Sequence, residues 1–307
     1  MDHVYLEKEH IERLKSLGDL KVFDDPPGTA SELGDRIDDA AVVIVGWSHF
    51  TKEIIDSASD LKMISIWATT CHYADLEAAR ERGIVVTHVP GYASEAVAEH
   101  AFALLLATIR RLVPADKHVR EGGFDWRPFG GRELAGKTLG VVGTGAIGFR
   151  VAELGKAFGM RLLGYDKYPN LKRAAEVGLD YSDLHALLRE SDVVSLNVTL
   201  TAETDGMIGR KEIGLMKDGA VVVNTSQGKV VDEEALADAL KSGKISAAGL
   251  DVFAEEPPDK SNPLFSLPNV VLSPHVGFHT VEAAKRCTDI CIDNVAKFLE
   301  GQVQNAC

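Results

Sequence analysis

Gln227 in "VVVNTSQG", Asp251 in "AAGLDV", Glu256 in "FAEEPP" and His275 in "VVLSPHVGF" all stand at or just past β-branched runs. A parallel sheet would gather such positions along one edge, where ligands bind in open α/β folds. Histidine is the side chain best suited to hold or release a proton near neutral pH. A carboxylate bonded to its second ring nitrogen would orient the ring and stabilise the imidazolium. Glu256 is a candidate for that partner, Glu255 beside it is another, and chemistry alone does not separate them. Gln227, at the end of its run, offers an amide with one NH₂ group and no charge.

A glycine-rich turn precedes these residues. "TLGVVGTGAIGFRVAELGKAFGM" sets Gly143, Gly145 and Gly148 in a G-x-G-x-x-G between a strand and a helix. Gly143 makes the tight turn, Gly145 admits a pyrophosphate close to the backbone, and Gly148 lets helix and strand pack. The helix N-terminus adds unpaired N–H groups and the positive end of its dipole. The next strand ends in Asp166, 18 residues past Gly148. An acidic side chain there accepts hydrogen bonds from ribose hydroxyls and repels a 2′-phosphate, which points to NAD over NADP, with Lys167 a small counterweight. With a nicotinamide cofactor, the histidine would supply the proton that accompanies hydride transfer to a carbonyl.

Positioning these groups requires two series of β-branched runs alternating with amphipathic helices. The first reads as strands "KVFD", "AVVIVG", "LKMISIW" and "IVVTHV" with helices "EKEHIERLKSLG", "TKEIIDSAS" and "YADLEAARERG". A single long helix, "SEAVAEHAFALLLATIRRLVPADKHVREGG", follows, with Ser94 as its expected N-cap. The second series reads as "TLGVVG", "RLLGYD", "VVSLNV", "AVVVNT", "AAGLDV" and "VVLSPH". The closing helix, "TVEAAKRCTDICIDNVAKFLEG", has no strand of its own to cover and is expected to return to the first domain. The expected fold is therefore α/β, with two Rossmann-like or flavodoxin-like domains and parallel sheets. Residues 1–98 with 280–307 form the smaller, discontinuous substrate domain, and residues 99–279 the NAD-binding Rossmann domain.

The 307 residues carry a formal net charge of −13, which argues against a nucleic-acid or anionic-membrane surface but not against a small anion. No apolar run approaches the length of a membrane span, and no signal peptide is visible. Cys287 and Cys291 lie four apart in a helical pattern without a second ligand pair, so helix packing is expected there and no metal site. Reduced thiols and a cytoplasmic location are expected for all four cysteines, at 71, 287, 291 and 307.

Over nearly its whole length the chain resembles the D-isomer-specific 2-hydroxyacid dehydrogenases. "GVVGTGAIG", "NTSQGKVVDEEAL", "GLDVFAEEP" and "LSPHVG" stand in that family's order and approximate spacing. "DLEAARERGIVVTHVPGYASEAVAEHAFALLLA" is similar to the segment joining the two domains in its glyoxylate/glycerate branch. The resemblance implies an active site in the interdomain cleft and dimerisation through the long helix near 95–112. It implies His275 as the proton-transfer histidine, Glu256 as its partner, and Gly143, Gly145, Ala146, Ile147, Gly148, Asp166, Thr199, Thr225, Ser226, Asp251 and Gly277 as cofactor contacts. Two departures touch the substrate. Gln227 replaces the family's arginine, and the loop "IWATTCHYADL" holds Thr69, Thr70, Cys71 and His72 where a glycine-containing turn is usual. Thr70, Cys71, His72 and Gln227 are then the expected substrate contacts, with His72 or Lys229 compensating for the lost charge. Three functions follow: a 2-hydroxy-acid/2-oxo-acid oxidoreductase with atypical carboxylate recognition, the same hydride chemistry on a different alcohol or carbonyl compound, or a non-catalytic NAD(H)-sensing protein. A proton donor, its partner and Asp251 together argue against the sensor.

Overall fold

A computed structural model describes residues 4–307. They form two compact units: the first runs to Ala93 and resumes at His279, and the second is Ser94–Phe278. In the first, α1 (Lys8–Leu17) and α2 (Ala30–Ile37) precede β1 (Val42–Val45), followed by α3 (Lys52–Ser57), β2 (Met63–Ile66), α4 (Leu76–Glu81) and β3 (Val85–Thr87). The strands pair in parallel in the order β1-β2-β3. Every residue of β2 is buried, so its sequence is a run rather than an alternation. Ile64 and Ile66 each contribute about 1.5–3 kcal/mol of burial. Side-chain caps start two of the helices: Thr29 accepts from the Glu32 N–H, and Asp75 from those of Glu77 and Ala78. The "KVFD" segment forms no strand. Val22 faces solvent and Phe23 lies under the Arg36 guanidinium, so neither side chain has a sheet face to bury against.

The expected long helix is two helices, α5 (Ser94–Ile109) and α6 (Leu112–Arg120), with Arg111 left-handed between them at φ 51°. Pro114 explains the break. In a continuous helix it would lack an N–H and its ring would meet the Arg110 carbonyl, whereas in the first turn of α6 no N–H is needed. Ser94 is the first residue of α5 rather than a cap ahead of it.

The remaining elements are β4 (Thr138–Val142), α7 (Ala146–Ala157), β5 (Arg161–Tyr165), α8 (Leu171–Val177), β6 (Leu179–Tyr181), α9 (Leu184–Glu190), β7 (Val193–Leu196), α10 (Arg210–Leu215), β8 (Ala220–Asn224), α11 (Glu233–Ser242), β9 (Ile245–Leu250) and β10 (Val270–Leu272). The sheet is parallel throughout, in the order β10-β9-β8-β7-β4-β5-β6. Strand order reverses between β4 and β7, which opens a crevice at their carboxyl ends. Val142 pairs with Leu196, Leu196 with Asn224, Asn224 with Leu250 and Leu250 with Leu272. Five strands thus end level, and whatever follows them lies along one edge. Helix α5 packs across β8, β9 and β10. The last helix, α12 (Val281–Leu299), packs on α1 and β2 of the first unit, burying Cys287 and Cys291, both free thiols.

Candidate active site

The glycine turn after β4 has the geometry of a nucleotide cradle. Gly143 sits at φ 88° with the Asn197 carbonyl 2.6 Å from where a Cβ would be, and a Cβ on Gly148 would fall 1.9 Å from the Gly143 oxygen. Only glycine fits at either place. Gly145 caps α7, and it and Ala146 are exposed, with Ile147 half-buried in the same first turn. The helix therefore presents its free N–H groups to solvent beside the turn. Asp166, after β5, accepts from the Thr144 N–H at 2.6 Å and hydroxyl at 3.1 Å, and from the Tyr168 N–H at 2.9 Å. A carboxylate has acceptor capacity beyond three bonds, so Asp166 can still receive ribose hydroxyls. Lys167 beside it is committed to Glu203 at 2.6 and 2.7 Å. Two buried polar atoms along this edge, Asn197 Oδ1 after β7 and Thr225 Oγ1 after β8, have no partner among the described residues. Glycine cradle, exposed helix end, acidic residue and orphaned polar atoms all fit NAD. Thr199 is exposed further along the same loop.

The turn after β8 is fixed by Asn224. Its Oδ1 accepts from the N–H and hydroxyl of Ser226 at 3.0 and 2.9 Å, and its Nδ2 donates to the Gln227 carbonyl at 2.9 Å. Gln227 is half-buried with extended backbone, and Lys229 is exposed.

Asp251, after β9, is 1% exposed. Its Oδ1 accepts from the Ser273 hydroxyl at 2.5 Å and the Val276 N–H at 3.0 Å, and its Oδ2 from the Gly277 N–H at 2.8 Å. Burial pushes its carboxyl up, but bonds from His100, Ser273, Val276 and Gly277 outweigh burial and hold it below the ordinary carboxylate value. His275, after β10, is left-handed at φ 53°. Its Nδ1 lies 2.7 Å from Glu256 Oε2, and the other oxygen of Glu256 accepts from the Phe253 N–H at 3.1 Å. The two glutamates are thereby distinguished: Glu256 reaches the ring, and Glu255 faces solvent. With Nδ1 engaged, Nε2 is the nitrogen able to exchange a proton with a substrate.

In the first unit, Thr70 Oγ1 lies 2.7 Å from His72 Nδ1, and the His72 ring lies 4.1 Å from the Tyr73 ring, tilted by 34°. Cys71 is not a free thiol. It is disulfide-bonded to Cys307, 236 positions away, which corrects the expectation of reduced cysteines at both positions. The chain's last residues run beside β3, with the His88 N–H donating to the Asn305 carbonyl and the Cys307 N–H to the Val86 carbonyl, each at 3.0 Å. That pairing carries Cys307 to the loop, and no spacing in the sequence announces it. His100, Thr144, Asn197 and Ser273 are the polar residues of the second unit's edge that sequence reading missed. His100 stands beside Glu99 in the otherwise apolar run "AVAEHAFALLLA", which marks a polar spot on the helix but names no partner for it.

The NAD-binding domain of the D-isomer specific 2-hydroxyacid dehydrogenases matches residues 102–277. Glyoxylate reductase of Thermococcus litoralis is 42% identical over 304 residues, covering 95% of this chain and 91% of the relative. The structure of D-lactate dehydrogenase from Aquifex aeolicus, complexed with NAD and lactic acid, superposes with a TM-score of 0.82 at 35% identity, covering 96% of this chain and 94% of that one. An acyclic imino acid reductase in complex with NADPH and D-Arg superposes with a TM-score of 0.89 at 34% identity, over 100% of this chain and 97% of that one. The chain therefore belongs to the D-isomer specific 2-hydroxyacid dehydrogenase family, NAD-dependent oxidoreductases that act on CH–OH groups.

Proposed function

We propose that the chain reduces 2-oxo acids, or oxidises the matching 2-hydroxy acids, with His275 carrying the proton and Gln227 as a neutral anchor for the substrate's anionic end. The observation that carries this reading is the 2.7 Å bond between His275 Nδ1 and Glu256 Oε2. It fixes the ring, leaves the proton at Nε2 for the carbonyl oxygen, and stabilises the imidazolium when the proton returns. NAD, when bound, supplies or accepts the hydride. Gly143, Gly145, Ala146, Ile147 and Gly148 would hold its phosphates, Asp166 its ribose, and Thr199, Thr225, Ser226, Asp251 and Gly277 the rest. The Lys167–Glu203 pair leaves Asp166 without a cationic ally for a 2′-phosphate, which favours NAD over NADP.

Gln227 loses the bidentate, permanently charged grip of an arginine. His72 is a poor replacement cation at neutral pH, because burial and nearby His49 push its imidazole below the ordinary value. Lys229 remains the nearer cation in sequence. Thr70 and His72 are proposed substrate contacts, whereas Cys71 would act there only through its disulfide. Exposed Leu112, Val113, Val119, Phe124 and Trp126 in and after α6 support a homodimer. They extend the proposed subunit contact from residues 95–112 into α6 and the segment after it. The net charge of −13 opposes a nucleic-acid partner. No helix of the described residues is long and apolar enough to cross a membrane. A cytoplasmic location is proposed, where the Cys71–Cys307 disulfide would be an exception to the usual reduced thiols.

The test is NADH oxidation across glyoxylate, hydroxypyruvate, pyruvate and neutral carbonyls, with wild type beside Gln227→Arg. An arginine should raise kcat/KM on 2-oxo acids about 10–100-fold, the worth of one charged hydrogen bond. Equal rates would end the claim of atypical carboxylate recognition. The likeness to an imino acid reductase favours one second reading, hydride delivery to a C=N bond, tested by adding an amine to the same panel. NADH binding without any turnover would support the sensor.

A further inference from the structure

We infer that His100, on helix α5, is a positioning residue for His275. This rests on the proposed role of His275 and concerns how that residue is held. His100 Nε2 lies 2.8 Å from Ser273 Oγ and 3.2 Å from Asp251 Oδ1. Ser273 gives its only hydroxyl proton to Asp251, so its oxygen accepts from the Nε2–H of His100. A chain of donors thus runs from His100 through Ser273 to Asp251, in a place where bonds of this kind reinforce one another.

That chain ends on the segment that bears His275. The Ser273 N–H donates to the Leu250 carbonyl at 3.0 Å, and the His275 N–H to the Asp251 carbonyl at 2.8 Å. The Val276 and Gly277 N–H groups close on the Asp251 carboxylate from the other side. A Cβ on Gly277 would stand 2.9 Å from Asp251 Oδ2 and 3.4 Å from His100 Cδ2, so glycine alone lets the backbone approach this closely. The left-handed φ of 53° at His275 is unusual for a residue with a Cβ and persists only where the surroundings impose it. Residues 273–277 are gripped on both sides of His275, and the grip is anchored by a side chain from a long helix packed across three strands. Asp251, 1% exposed, is a carboxylate in need of donors, and His100 is the partner that comes from outside the β9 and β10 turns. Without His100, Ser273 loses the donor that fixes its rotamer, and the segment can relax away from the backbone that aims His275 at the substrate.

The experiment compares wild type with His100→Leu, His100→Gln and Ser273→Ala, using NADH and whichever 2-oxo acid turns over fastest. His100→Leu should lower kcat about 10–100-fold, as a misplaced catalytic group does, with substrate KM and NADH affinity within about two-fold of wild type. His100→Gln keeps a donor at the position of Nε2 and should restore kcat to within about three-fold. The solvent deuterium isotope effect on kcat should rise in His100→Leu, because proton transfer becomes the slow step. Should His100→Leu fail to fold, Ser273→Ala, which leaves α5 intact, must show the same kcat-selective loss. Wild-type kcat in the soluble variants, or a loss confined to KM or NADH binding, overturns the inference. Full activity in His275→Ala would instead overturn the proposed function beneath it, so the two failures read differently.

Discussion

The loop after β2 in the first unit and the turns after β8, β9 and β10 in the second occupy the same kind of place, the carboxyl edge of a parallel sheet. They are held by different forces. The loop at 69–73 is tied at its surface: the Thr69 carbonyl meets His88 Nδ1 at 2.7 Å, the His72 ring packs at a tilt against Tyr73, and a disulfide joins Cys71 to Cys307. The 273–277 segment is tied from beneath by a buried carboxylate with four partners. A surface tie leaves Thr69, Thr70 and His72 exposed, as the proposed substrate contacts would need to be. A buried polar hub fixes backbone and ring together, as proton transfer requires. The two regions should therefore fail differently when each is broken.

The largest effect is expected at the hub's product. Replacing His275 with Ala should lower kcat/KM about 10²–10⁴-fold, the range for loss of a general acid–base group. NADH affinity, followed by fluorescence titration, should stay unchanged. A variant as active as wild type would remove the comparison's functional half.

Breaking the hub itself comes next. Asp251→Ala leaves the Ser273 hydroxyl and two backbone N–H groups without an acceptor and should destabilise the second unit by several kcal/mol, at about 1–3 kcal/mol for each unsatisfied buried donor. Chemical denaturation at pH 7 measures it. The pH dependence has a definite sign. Asp251 titrates below its unfolded value, so its stabilisation is present above the ordinary carboxylate pKa of about 3.9 and is lost as pH falls through the lower folded value. The gap between wild type and Asp251→Asn should accordingly shrink only below about pH 4. A gap that closes near pH 6 would assign the stabilisation to another group.

The surface tie should cost less. Cys307→Ser, or a dithiol reductant, should lower the stability of the first unit by about 2–4 kcal/mol. Thermal melts with and without dithiothreitol separate the cases, since Cys307→Ser should be indifferent to the reductant. A wild-type melt that ignores dithiothreitol would count against the Cys71–Cys307 bond.

What could be read beforehand follows the range of the interactions. Six of the seven strands of the large sheet were legible because buried parallel strands are apolar runs, whereas the edge strand β6, three residues with an exposed Asp180 at its centre, was not. The nucleotide cradle was legible because Gly143, Gly148 and Asp166 act within one βαβ unit. Glu256 was separable from Glu255 only by resemblance, because the answer is a contact across 19 residues between two turns. His100 lies 151 positions before Asp251, and Cys71 lies 236 before Cys307, so neither pairing leaves a local trace. "KVFD" has strand composition but no face to bury, and Pro114 interrupts with its ring a pattern that otherwise reads as one helix.

The smallest effect tests the cofactor end of the hub's own edge. Lys167 and Glu203 are both exposed, so their pair adds little to stability. Its role would be to keep the lysine occupied. Glu203→Ala frees a cation next to Asp166, where it can meet the 2′-phosphate of NADPH while the carboxylate still repels it. The ratio of NADPH to NADH affinity should rise about two- to five-fold, as expected for one screened surface charge. Raising the salt concentration should erase the gain, because exposed charges are screened and buried ones are not. An Asp166→Ala variant should shift the same ratio further, because it removes both the ribose acceptor and the repulsion. If Glu203→Ala leaves the ratio unchanged while Asp166→Ala moves it, discrimination lies in the carboxylate alone and Lys167 takes no part.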